Sequence, residues 1–211
     1  MIYKHKTDAM QAILKHVSRG YYYWTGGTSP LSESDSIRLK MSDQYDTERT
    51  AQQRWRAKKK GQANTYWIAY PFQDALEWLL LASEGEGLVH ERESLKNAKN
   101  DKQRLYVTGY ELVKLPNKND KARWTYRMTK ETLEFWRCRF RTAIQHRQDS
   151  DLRQALYSLR RVPVFRGVRQ QAYAIEKAAR GDWQRFRAGD WPYPALALGF
   201  KGKFRPAELI E

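Results

Sequence analysis

The sequence predicts an α+β fold: an N-terminal strand–helix–strand unit and a β-hairpin, followed by an arginine-rich helical C-terminal part. Three observations predict it. Short runs dense in aromatic and β-branched residues lie in the first two thirds, bounded by Gly and Pro. Apolar residues spaced three and four apart dominate after Thr129. The 211 residues are 41% hydrophobic, enough to build a packed core despite 30% charged residues.

Taken in order, Asp8–Val17 spaces Ala9, Met10, Ile13, Leu14 and Val17 as a short helix. Tyr21–Thr25 reads as a strand ended by Gly26 and Gly27, with Pro30 in the next loop. Ser32–Tyr45 reads as a helix capped by Ser32, with Ile37, Met41 and Tyr45 recurring at fours. Arg49–Gly61 is a basic stretch expected as an exposed loop. Thr65–Tyr70 is a second strand stopped by Pro71. Asp74–Ser83 is expected as a helix with Ala75, Leu79 and Ala82 inward. His90–Gln103 is a polar helix or exposed loop. Arg104–Leu115 and Arg123–Met128 form a hairpin across a turn-rich loop. Trp124, Tyr126 and Met128 share one face of its return strand; Arg123, Thr125 and Arg127 share the other. Thr129 caps a helix to about His146, with Leu133, Trp136, Phe140, Ala143 and Ile144 inward. Leu152–Leu159 and Val168–Ala179 mark two more helices. The chain from Trp191 is expected to be irregular. The division expected is 1–128 and 129–211, packed as one unit.

Charge is the strongest functional clue. There are 39 Lys and Arg against 24 Asp and Glu, a net charge of +15. Such a surplus repels itself unless a polyanion relieves it. From Arg137 to Arg187 thirteen basic residues face four acidic ones, a local surplus of nine. Nucleic acid is the expected partner, DNA ahead of RNA. The longest apolar run, Leu79–Ala82, is far short of a membrane span, and no secretory leader is read, so no membrane role and a cytoplasmic setting are expected. The single cysteine, Cys138, permits no internal disulfide and no cysteine-built zinc site.

The candidate contacts follow from this. Arg54, Trp55, Arg56, Lys58, Lys59 and Lys60 form a cationic run interrupted by an indole, suited to phosphates and a stacked base. Arg123 and Arg127 lie on the outer face of the hairpin, whose loop adds Lys114, Lys118 and Lys121 as a possible wing. Arg137 and Arg141 align four apart on a helix face. Arg160 and Arg161 close the next helix, where the dipole alone would also favour cations. Arg166 and Arg169 open the last helix, where the dipole does not favour them, and are the strongest phosphate candidates. In "RGYYYWTGG", Tyr22 and Trp24 share one strand face and offer a base platform; burial on both faces is the competing reading. A nucleophilic tyrosine is disfavoured, because the four histidines are scattered and none pairs at ligand spacing.

No catalytic residue, metal or cofactor is expected: neither a phosphate-binding loop nor a dinucleotide glycine pattern occurs. Two other classes stay open. One is a metal-dependent nuclease using the acidic cluster Glu84, Glu86, His90, Glu91 and Glu93. The other is a protein-interaction or inhibitor factor, and homodimerisation is also open. The stretches "TGYELVKLP", "SLRRVPVFRGVRQQ" and "RGYYYWTGG" resemble those of uncharacterised basic proteins encoded on bacterial plasmids and integrative conjugative elements. The resemblance implies a role in replication, transfer or maintenance of mobile DNA and assigns no residue a function.

Overall fold

The computed structural model describes residues 1–116, 121–198 and Leu209. The fold is α+β, with two antiparallel sheets, and the chain divides into two compact units that meet between Leu105 and Tyr106. The strands at 106–128 therefore lie with the helices, and the expected division after Met128 runs through the second unit.

Unit 1 contains α1 (Lys6–Val17), β1 (Tyr23–Pro30), α2 (Ser34–Tyr45), α3 (Ala51–Lys59), β2 (Thr65–Phe72), β3 (Ala75–Ala82), α4 (Leu88–Arg92) and β4 (Lys96–Asn97). The sheet order is β2-β3-β1-β4. Residues 75–82 are an interior strand, not the expected helix. Both faces of β3 are covered: Leu76, Leu80 and Ala82 pack with Met41, Tyr45 and Trp67, while Leu79 and Leu81 are also buried. A strand buried on both sides carries a near-continuous apolar run, and such a run does not distinguish strand from helix.

Two punctuation signals also gave way to pairing. β1 continues through Gly26 and Gly27, which pair with Leu79 and Trp78. A Cβ on Gly26 would lie 2.7 Å from the Trp78 carbonyl oxygen, so glycine here marks close approach within the ladder rather than its end. β2 runs past Pro71 because it is an edge strand, where a missing N–H is tolerated. The turn Leu31–Glu33 precedes α2, so Ser32 is not its cap. The polar segment after Glu84 resolves into α4, β4 and a short turn at Asp101–Gln103.

Unit 2 contains β5 (Tyr106–Val107), β6 (Tyr110–Leu115), β7 (Arg123–Met128), α5 (Lys130–Gln145), α6 (Asp149–Leu159) and α7 (Arg166–Phe186). The expected strand at 104–115 is broken by a turn at Gly109, whose φ of 83° suits glycine. The centre of the expected turn-rich loop, including Lys118, lies outside the described residues. The Thr129 cap is as expected: its side chain accepts from the Thr132 N–H. The expected inward positions Leu152, Ala155, Leu156 and Leu159 of α6, and Val168, Ala172, Ile175 and Ala179 of α7, are all buried.

Helix α7 is fastened at its start and again near its middle. A Cβ on Gly167 would lie 2.5 Å from the Tyr126 carbonyl oxygen, so only glycine lets α7 meet β7 there. Gln171 donates to the Met128 carbonyl at 3.2 Å and accepts from its N–H at 2.6 Å. Farther along, the buried carboxylate of Glu176 accepts from Arg180 at 2.9 Å and from the Leu196 N–H at 2.8 Å. That bond binds the segment 191–198, which has no helix or strand, to the helix.

Candidate nucleic-acid interface

The basic run at 54–60 is a helix, α3, rather than a loop. Thr50 and Gln53 form a reciprocal capping box: the Gln53 N–H donates to Thr50 Oγ1 at 3.3 Å, and the Thr50 N–H donates to Gln53 Oε1 at 2.7 Å. Gln, Arg, Ala and Lys then propagate it. Gly61, at φ 74°, ends it.

Arg54 faces inward and anchors the helix. Its guanidinium lies 3.9 Å from the centre of the Tyr66 ring and donates to the carbonyls of Arg49 and Thr47, the latter at 2.8 Å. Asn64 Nδ2 donates back to the Arg54 carbonyl at 3.0 Å. The Tyr66 ring also packs on the imidazole of His16, with ring centres 3.6 Å apart. His16 is only 8% exposed, and burial, reinforced by the Lys15, Arg54 and Arg19 charges, pushes its pKa down to about 3. The imidazole is therefore neutral at physiological pH. Arg54 is a structural residue here, not an open phosphate ligand.

With Ala57 buried and Arg54 turned in, the opposite face of α3 points to solvent. Gln52, Trp55, Arg56 and Lys59 follow one another at i, i+3, i+4 and i+7 along it. Trp55 is 57% exposed, and Lys59 Nζ sits 4.2 Å from its ring centre. Lys58 and Lys60 are also exposed. Among the described residues Arg56, Lys58, Lys59 and Lys60 have no ion pair, and the sequence places no acid between Glu48 and Asp74. The outward stripe, with Gln52 in it, is what a loop reading could not supply; the 3.6-residue spacing was its signal.

The aromatic row is closed. Trp24 is 7% exposed, donates from Nε1 to the Gln103 carbonyl at 3.0 Å, and has Lys96 Nζ 4.9 Å from its ring centre. Lys99 Nζ lies 3.9 Å from the Tyr22 ring centre. Tyr21 packs edge-on against His16 and Tyr23 against His90. Trp24 is buried and Tyr22 half-buried with a lysine on its ring, so the expected base platform of Tyr22 and Trp24 is not an open pair of rings.

The C-terminal arginines are largely engaged within unit 2. Arg127 pairs with Glu111 at 2.5 Å, directly opposite it in the β6–β7 register. With Thr125 buried, the hairpin's expected basic face reduces to Arg123. Arg137 pairs with Glu134, Arg180 with Glu176, Arg185 with Asp182 and Arg187 with Asp149. Three of these four pairs come from i,i+3 or i,i+4 helical spacing. Arg166 donates to the Leu115 carbonyl at 2.7 Å, which accounts for an arginine at a helix N-terminus without a phosphate. Arg169 is half-buried and also engaged. Arg141 and Arg161 remain exposed, with Arg161 4.2 Å from the Tyr157 ring centre, and Arg160 donates to the Pro194 carbonyl at 3.4 Å.

The acidic cluster does not converge. Glu93 accepts from Tyr45, Glu84 pairs with Lys99 at 3.5 Å, and His90 Nε2 lies 2.9 Å from the Ser83 carbonyl. Among the described residues no three His, Cys, Asp or Glu side chains come together as a metal site, and no helix is long and apolar enough to cross a membrane. Comparison with protein-family models, curated proteins and solved structures returned no match to this chain.

Proposed function

We propose that the protein binds DNA through helix α3. One observation carries the reading: helix α3, anchored through Arg54, turns outward a stripe of Gln52, Trp55, Arg56 and Lys59, flanked by Lys58 and Lys60, whose cations have no ion pair among the described residues. An α-helix fits the major groove, where Arg and Gln make paired hydrogen bonds to guanine and adenine edges. The lysines suit phosphates on either side of it. The mobile-DNA setting is what the sequence resemblance implies, and replication, transfer or maintenance are the roles it would serve.

The test is binding of duplex DNA at several salt concentrations. Each phosphate contact contributes about 0.9 to the slope of log K against log salt. Replacing Lys58 and Lys60 together by Gln is expected to flatten that slope by about 1.8. Replacing Lys40, exposed on α2, by Gln is expected to leave it unchanged. An unchanged slope in the Lys58/Lys60 double variant, or no binding by the parent protein, refutes the proposal.

A further inference from the structure

Helix α6 carries a second outward stripe, on unit 2. Ser150, Arg153, Gln154 and Tyr157 follow at i, i+3, i+4 and i+7, opposite the buried Leu152, Ala155 and Leu159. Together with Arg160 and Tyr193 they line an open groove of about 510 Å³. That volume falls within the ~300–1,000 Å³ typical of small-ligand sites.

The groove walls are held in place from behind. Tyr193 packs edge-on against Trp191, with ring centres 5.2 Å apart, and against Trp183 at 6.2 Å. Arg160 ties helix to strap through the Pro194 carbonyl. Tyr157 is 49% exposed, with the Arg161 guanidinium 4.2 Å from its ring centre. Asp149, beside Ser150 in sequence, pairs with Arg187 at 2.8 Å. Asp151, exposed and three residues before Gln154, flanks the stripe on the side of Gln154. Arg153 has no ion pair among the described residues.

We propose that this groove seats an unpaired nucleotide of single-stranded nucleic acid, with the base stacked on Tyr157 and the flanking phosphates on Arg153 and Arg160. Aromatic rings stack any base, and arginine forks match phosphate oxygens. Ser150 and Gln154 supply a hydroxyl and a carboxamide to the base edge. Duplex DNA cannot use the site, because its bases are stacked on one another. The inference rests on the nucleic-acid reading above but uses none of the α3 residues.

The experiment is fluorescence anisotropy with the full chain, using a labelled oligothymidylate and a duplex of equal length. Tyr157→Ala is expected to weaken single-strand binding about 5- to 150-fold and to leave duplex binding unchanged. Tyr157→Phe, which keeps the ring, is expected to stay within about twofold of the parent. Arg153→Gln with Arg160→Gln is expected to weaken single-strand binding and flatten its salt dependence. Photocrosslinking of an oligonucleotide carrying 5-bromouracil is expected to map to the peptide holding Tyr157 or Tyr193. Equal losses for both probes in Tyr157→Ala, unchanged single-strand binding, or a crosslink confined to other peptides overturns the proposal while leaving the α3 reading intact. Failure of the parent protein to bind either probe removes both readings.

Discussion

Buried His16 makes unit 1 sensitive to mild acid by an amount that can be worked out. In the folded chain the imidazole stays neutral down to about pH 3, whereas in the unfolded chain it protonates near its ordinary value of 6.5. Above pH 6.5 both forms are neutral and the group leaves stability unchanged. As pH falls through 6.5 the unfolded chain takes up a proton that the folded chain refuses. Stability then drops by about 1.4 kcal/mol per pH unit until the folded pKa is reached. Between pH 7 and pH 5 the loss amounts to about 1.9 kcal/mol. Urea unfolding at the two pH values provides the assay, with hydrogen exchange of α1 and β2 peptides reporting unit 1 separately. His16→Gln sheds packing equally at both pH values, so its own cost cancels when the two are subtracted. The parent protein is expected to lose about 1.9 kcal/mol more than the variant over this interval. Equal losses in parent and variant would mean that His16 titrates normally, and the burial argument would fail.

Two further substitutions probe the contacts that place the candidate surfaces. Thr50→Ala removes half of the capping box and is expected to cost about 1 kcal/mol, with faster hydrogen exchange confined to the first turn of α3. Gly167→Ala forces a methyl group against the Tyr126 carbonyl and is expected to destabilise unit 2 by about 1–3 kcal/mol in urea unfolding; an unchanged midpoint would show that α7 can back away from β7.

How much the sequence revealed depends on how each segment is buried. The helices α5, α6 and α7 each bury one stripe, so periodicity located them and Thr129 marked the start of the first. The strand Arg123–Met128 was equally legible, because alternation and flanking turns agree there. The segment at 75–82 was not, since a strand covered on both faces loses its alternation. Gly26, Gly27 and Pro71 misled for a related reason. Their local tendencies as breakers were overridden by ladder partners that only the folded sheet supplies. At the candidate site the cationic run at 54–60 was plain in the sequence, but its helical form hinged on the Thr50–Gln53 pair, and that form decides which side chains face out. The arginines at 127, 137 and 166 could not be sorted by type alone. What separated them was the carboxylate or carbonyl at hand, and Glu111 and Leu115 meet them only through strand pairing and helix docking.

The bond from the Leu196 N–H to Glu176 bears on how this protein can be shortened. The segment 187–198 looks dispensable, yet among the described residues it supplies one of the two partners of the buried Glu176 carboxylate. A version ending near Arg187 would leave that anion with Arg180 alone and bare the indole of Trp183. Such a product would be expected to clump or be degraded, and its silence in a binding assay would say nothing about what the missing segment recognises.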